Sequence, residues 1–451
     1  MIFGTYMWYT YKKHPRTNWF LFTIKIFLFV LTITVAWFSH PTSADTLFEK
    51  INTLLKTHKR ITAAEADLLG AQERAKVAFG DWFPKVDLTA NYGYEHQQKG
   101  QGSDDTSMPP RNVELSLNQL LWDFGSTNAS IQRARLEVQQ SKLALRSAQQ
   151  SVLLEAIVGY MEVLRQSRIL EFAKGSVANI KHQANLETSK VLRGSGIATD
   201  VLQAKTQLAG AEAMSVQAEG ALQNSKNRYN AIFGQFPQTP RKLKRPRIPT
   251  AFLPSTLEEA IEIGFKENPQ LMASAVSSRI AQIDLKKTKA DGFGPKINAS
   301  LDKKWKQDDG GTIGGKQETL AKVELTYSFD VWLTNVNTIR AAQQTLSASK
   351  IRYDDTQTLI EEQVRNAWEN LRTSRLNAER LQNQANIAAE FLALARKERQ
   401  LGNRSLIDVL AGETALISAQ SDAASAETDI TLATFRLLST LGRLNVDSFK
   451  R

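Results

Sequence analysis

The chain has 451 residues, 42% of them hydrophobic and 23% charged, with a net charge of +11, five histidines and no cysteine. The lack of thiols excludes disulfides, thiolate metal sites, cysteine nucleophiles and a lipid-anchor cysteine, and no two histidines have the i, i+4 spacing of a helical zinc site. Four of the eleven net charges (Lys12, Lys13, Arg16 and Lys25) fall in the first 44 residues, so the rest is a mixed-charge surface that does not point to nucleic acid.

Residues 1–44 are predicted to be a signal peptide: a basic stretch ending at Arg16, an apolar run over 19–38, then Thr42, Ser43 and Ala44. The apolar run also approaches the ~20 residues of a transmembrane anchor, so an uncleaved inner-membrane helix is the alternative. On either reading the remainder is exported. No later segment has 18 uninterrupted apolar residues, so a further membrane role requires strands.

The first repeat, 45–236, reads helix, strand (85–94), loop, strand (113–122), long helix (126–193), hairpin tip (194–199) and helix (200–233). A Pro-rich basic linker follows over 237–254, with Arg241, Lys242, Lys244 and Arg245 in an extended, solvated strap. The second repeat, 255–443, has strands at 296–305 and 320–329, a long helix at 333–401, a tip at 402–405 and a helix at 406–441. A tail occupies 444–451. The two copies are a duplication: Ile131, Val138, Leu145 and Val152 recur 208 positions later as Ile339, Leu346, Tyr353 and Ile360. Small residues interleave with them in the same register, Ala134 and Ser141 matching Ala342 and Ser349.

Uncapped helical runs of this length suit a coiled coil or a repeat better than a globular core. A seven-residue seam with one bulky and one small position favours side-by-side packing into a wall over a two-stranded coil. The four strands alternate with period two, and aromatic residues (Tyr92, Tyr94, Trp122, Trp305, Tyr327, Phe329) cluster near their ends. Alternation alone fits a soluble hairpin equally well; the signal and the duplication favour a barrel. Four strands cannot close one in lipid, so several chains contribute, two giving 8 strands and three giving 12. The segments 95–112 and 306–319 are predicted to be surface loops.

The duplicated Pro84 and Pro295 before each first strand, Trp122-Asp123 and Phe329-Asp330 before each long helix, and the glycine turns at 194–196 and 402 together resemble the TolC family of outer-membrane export ducts. The resemblance spans essentially all of the chain after residue 44. It implies a mainly α fold with a β-barrel section: a homotrimer whose 12-stranded barrel, set in outer-membrane lipid, continues into a helical tunnel in the periplasm. It implies a periplasmic adaptor at the hairpin tips (Gly194, Gly196, Ile197, Gly402, Asn403, Ser405) and an inner-membrane ABC or proton-driven transporter. It also implies a periplasmic gate in which Arg404 pairs with Asp200 between neighbouring hairpins and Asp408 lines the pore. The family member compared has a tyrosine before the turn and a second aspartate after it; here Arg399 and Ala411 stand there, implying a different latch and a less acidic constriction.

The strap and the start of the second repeat resemble the type I protein secretion subgroup, with multidrug efflux as the alternative cargo. A periplasmic coiled-coil adaptor is the rival of different class, but it carries one helical hairpin where this chain has two. No cofactor or metal is implied, and no nucleophile elbow, phosphate loop or paired-carboxylate motif suggests an enzyme.

Overall fold

A computed structural model describes residues 47–446, apart from 101–103, 238–239, 241–242 and 329–331. The predicted signal, Phe329-Asp330, Arg241-Lys242 and the last five residues of the tail lie outside the described residues. The first copy comprises α1 (Leu47–Thr57), α2 (Lys59–Gly80), β1 (Lys85–Tyr92), β2 (Glu95–Gln97), β3 (Thr106–Met108), β4 (Arg111–Trp122), α3 (Ser126–Leu192) and α4 (Ala198–Phe233). The second comprises α5 (Leu257–Glu267), α6 (Pro269–Phe293), β5 (Lys296–Gln307), β6 (Gly315–Thr326), α7 (Thr334–Gln400) and α8 (Leu406–Thr440). Both α3 and α7 are 67 residues long, about 100 Å at 1.5 Å per residue. Their starts, at 126 and 334, are offset by the same 208 positions as the sequence repeat.

Each long helix starts and stops for local reasons. The Asp123 carboxylate accepts from the Thr127 amide at 2.7 Å and the Thr127 hydroxyl at 2.6 Å, capping α3, which explains the aspartate after Trp122. At the far end the Ser195 amide reaches the Lys190 carbonyl at 3.0 Å and the Gly194 amide reaches that of Val191 at 3.0 Å. The same pair of bonds, Asn403 to Glu398 and Gly402 to Arg399, ends α7, both at 3.0 Å. This closing turn needs a left-handed residue, and Gly194 (φ 75°) and Gly402 (φ 81°) supply it without steric cost.

Two apolar cores hold the helices. Leu153, Ile157, Tyr160 and Met161 of α3 meet Tyr229 of α4 and Phe435 and Leu438 of α8. Ile360 and Val364 of α7 meet Ala260 of α5, Leu271 of α6 and Leu437 and Leu441 of the α8 end. Toward the tips the cores shrink to Ile180, Ala184, Ala204 and Ala211 in one hairpin and Ala385, Ala419 and Ala423 in the other. Alternating small residues bring helix backbones close, as a wall of laterally packed helices requires.

Several expectations are corrected. The linker is not a solvated strap: Leu243, Phe252 and Leu253 pack on the first core, Arg245 pairs with Glu427, and the Lys244 carbonyl accepts from the Tyr160 hydroxyl at 2.8 Å. Burial pushes that phenol up to about 12. Tyr160→Phe is expected to cost about 1 kcal/mol in thermal or denaturant unfolding, the worth of one such bond. Leu444 of the tail is buried in the first core. The final strand runs Gly315–Thr326, starting five residues before the expected 320, so most of 306–319 is strand and turn rather than loop. Segment 95–112 likewise carries the short β2–β3 ribbon.

Glu267 and Arg443 join α5 to the end of α8 through two bonds, at 2.7 and 3.1 Å. Donation by Arg443 holds the Glu267 carboxyl below its ordinary value of 4.5. A carboxyl lowered in the folded state contributes stability that is complete above its unfolded value and is lost as pH falls through the folded one. Acidification below about pH 4.5 therefore weakens this junction, and Glu267→Gln is expected to flatten that part of an acid-unfolding profile.

Candidate functional site

Two regions are chemically distinctive: the four-stranded sheet and the hairpin tips. The sheet has the order β1-β4-β5-β6 and is antiparallel throughout. Register places Leu88, Leu115 and Lys303 in one row and Ala90, Val113 and Trp305 in the next, so one face is mainly apolar, with polar side chains concentrated toward the end away from the helices. Its large side chains, among them Val86, Leu88, Leu115, Leu301, Val323 and Leu325, are exposed. The other face is polar: Glu114 meets Lys304 at 2.7 Å, Lys306 meets Glu318 at 3.5 Å and Lys322 meets Glu324 at 2.5 Å. Exposed Trp122, Phe124, Phe293 and Trp332 ring the end of the sheet next to the helices. An apolar outside, a paired-charge inside and aromatic ends are what a strand set in lipid requires. Among the described residues no helix is long and apolar enough to cross a membrane.

At the tips the charged side chains make their contacts within one chain. Within the chain Arg404 does not meet Asp200. Arg399, at the end of α7, takes that partner: its guanidinium lies 3.0 Å from Asp200 of α4, 3.3 Å from Glu187 of α3 and 3.2 Å from the Arg404 carbonyl. Glu187 is buried, and Lys190 approaches the same carboxylate at 2.8 Å. One arginine of the second hairpin thus grips both helices of the first. Arg404 instead turns back on its own hairpin, 2.7 Å from Glu398, 3.6 Å from Asp408 and 4.9 Å from the Phe391 ring centroid. A turn further from the tip, buried Glu413 of α8 pairs with Arg396 of α7 and accepts from Asn179 of α3 at 3.4 Å.

The expected docking residues occupy the turns. Ser405 caps α8 through the Asp408 amide at 3.3 Å, and Gly196 lies so close to the α3 end that an added Cβ would stand 2.7 Å from the Val191 nitrogen. Ile197 is exposed, as are Leu192, Leu401 and Ile407, so the tips present apolar side chains. Sequence reading flagged Arg399 only as a departure and missed Glu187, Glu398 and Glu413. Nothing in a helical run rich in glutamate separates the buried ones from the solvated ones.

A sheet with one apolar and one charged face, joined to 67-residue helices that end in glycine turns, defines a protomer of an outer-membrane duct. The chain belongs to the family described as outer membrane efflux protein, whose model matches residues 51–235 and 263–443. It is 24% identical over 410 residues to the outer membrane efflux protein BepC of Brucella suis, covering 90% of this chain and 87% of BepC. It is 24% identical over 353 residues to the alkaline protease secretion protein AprF of Pseudomonas aeruginosa, covering 75% of this chain and 71% of AprF. The fold matches the crystal structure of the outer membrane protein VceC of Vibrio cholerae with a TM-score of 0.76 at 17% identity, over 88% of this chain and 96% of that one. The protein is an outer-membrane channel of a tripartite export system, with the fold of one protomer in a trimeric barrel and tunnel. Channels of this family are trimeric and work with adaptors and inner-membrane transporters.

Proposed function

We propose that three copies of this chain form one passive duct that receives substrate from an inner-membrane ABC or proton-driven transporter through a periplasmic adaptor. The open sheet is the observation that carries this. Strands β1 and β6 are its edges, and unpaired edges are not tolerated in lipid. Because the four strands alternate in direction, β6 of one copy meets β1 of the next antiparallel, and a head-to-tail ring of three closes the barrel. Three copies of four strands give 12.

The exposed apolar tips support docking of the adaptor at Gly194, Gly196, Ile197, Gly402, Asn403 and Ser405, where it would separate the hairpins held by Arg399. Asp408, on the first turn of α8 and paired only loosely with Arg404, supports a ring of three carboxylates at the constriction that binds cations. Asp408→Asn is expected to weaken block of single-channel current by multivalent cations several-fold in planar bilayers; an unchanged blocking curve removes that ring. Protein cargo of the type I kind is supported by the similarity to AprF, and small-molecule efflux by the broader coverage of BepC. Secretion assays in cells lacking the duct, complemented by this chain, separate the two.

A further inference from the structure

The apolar face of the sheet carries two cations that the duct function does not use. Register places Lys303 of β5 in the row of Leu88 and Leu115, and Arg111 of β4 in the row of Tyr92 and Gln307. Both therefore lie on the lipid-facing side, at the end of the sheet away from the helices. Both are on central strands, so closure of the ring through β1 and β6 leaves them uncovered.

Neither cation has a carboxylate within 4.0 Å among the described residues. The Lys303 ammonium donates to the Thr319 hydroxyl at 3.0 Å and stands 5.8 Å from the Trp305 ring centroid. The Arg111 guanidinium stands 5.8 Å from the centroid of the Tyr92 ring. Asp308, an acid close enough to Arg111 to interact with it electrostatically, has its carboxylate already bonded to the Gly314 amide at 2.7 Å and to Gln307 at 3.2 Å. The lumen face is the opposite case: there Lys304, Lys306, Lys316 and Lys322 each meet a glutamate.

A lysine on the lipid face of a barrel costs roughly 2–4 kcal/mol at the midplane and about 0–1 near the interface. Trp305 marks the aromatic girdle, and Lys303 lies two residues inside it, about 5 Å deeper for a strand tilted near 45°. It therefore sits where an unpartnered cation is still unfavourable, and where an anion at headgroup depth would offset the cost. The four-residue offset between the two cations corresponds to about 13 Å along the strands at ~3.3 Å per residue. A disaccharide bearing a phosphate at each end spans such a distance, whereas a single glycerol phosphate does not.

We propose that Arg111 and Lys303, backed by Tyr92 and Trp305, form a binding site for a diphosphorylated glycolipid of the outer leaflet. The aromatic rings bind the sugar and acyl boundary while the two cations each take a phosphate, aided by the Thr319 hydroxyl. The proposal rests on the barrel orientation already given, which places this end of the sheet outward. The test uses the full-length trimer in detergent with lipid A as the probe, and dephosphorylated lipid A and phosphatidylglycerol as comparisons, read by native mass spectrometry. Lipid A is expected to remain bound, at least tenfold more tightly than either comparison, and Arg111→Gln with Lys303→Gln is expected to abolish that preference. Heat-modifiable migration and unchanged single-channel conductance confirm the fold of the double variant. Equal retention of lipid A and its dephosphorylated form by the wild-type trimer overturns the proposal without any variant. Equal retention of phosphatidylglycerol overturns the assignment to a glycolipid. Loss of conductance in both wild type and variant would instead indict the barrel itself.

Discussion

Replacing Arg399 by alanine is expected to raise the single-channel conductance of the trimer several-fold. The guanidinium bridges Asp200 and Glu187 of the first hairpin from the end of the second. The Glu187 side chain is only 3% exposed and that of Arg399 is 25% exposed, so both charges are largely desolvated. Removing one partner of a buried pair costs about 3–5 kcal/mol because the other charge is stranded. Lys190 keeps part of that interaction, which leaves about 2 kcal/mol as the expected loss, or roughly a thirtyfold shift toward separated hairpins. Arg404→Ala is expected to do much less. Its partners Glu398 and Asp408 lie on its own hairpin and are 35% and 47% exposed, in the range where ion pairs contribute little. A conductance that rises with Arg404→Ala and not with Arg399→Ala would return the latch to the pairing expected from the family.

Gly442→Ala is expected to be strongly destabilising. Gly442 has φ 78°, and an added Cβ would stand 2.3 Å from the Glu267 carbonyl oxygen and 2.8 Å from its carbon. Backbone cannot move aside as a side chain can. The Gly442 carbonyl also accepts from Gln150 at 2.6 Å and Arg146 at 2.8 Å, so the residue ties the α8 end to α3 of the other copy. Left-handed strain of roughly 1–2 kcal/mol adds to the overlap, and a total above about 3 kcal/mol is expected, with loss of most folded trimer. Gly234, its equivalent 208 positions earlier, is the control: its φ is 71°, but an added Cβ meets nothing within 4 Å. Gly234→Ala should cost only the strain. Comparable melting temperatures for the two variants would show that the overlap is relieved.

The duplication made most of the fold legible. Two periodic runs without proline predict α3 and α7 to within a residue of their ends, because nothing interrupts helix propagation there. Strand β6 was harder. Gly315, Lys316 and Gln317 read as a surface turn, yet they continue the ladder against Trp305, Lys306 and Gln307, since pairing with a neighbour overrides weak local propensity. The linker misled for a related reason. Its charges suggested a solvated strap, while Leu243 and the Tyr160 bond that bury it depend on residues 80 and more positions away. At the tips the turns were readable from glycine, but the choice of Arg399 over Arg404 as partner to Asp200 was not. Both arginines lie within one turn of the tip, and only the three-dimensional placement of Glu187 decides between them.

The chain has no native cysteine, so a disulfide between edge strands reports assembly without background. Ala90→Cys on β1 can be combined in turn with Thr319→Cys, Ala321→Cys or Val323→Cys on β6, all on the lipid-facing side. Oxidation of outer-membrane fractions should convert at least one combination into a ladder ending at a covalent trimer. If every combination stays monomeric after oxidation, the sheet is not completed by its neighbours and the duct has no barrel.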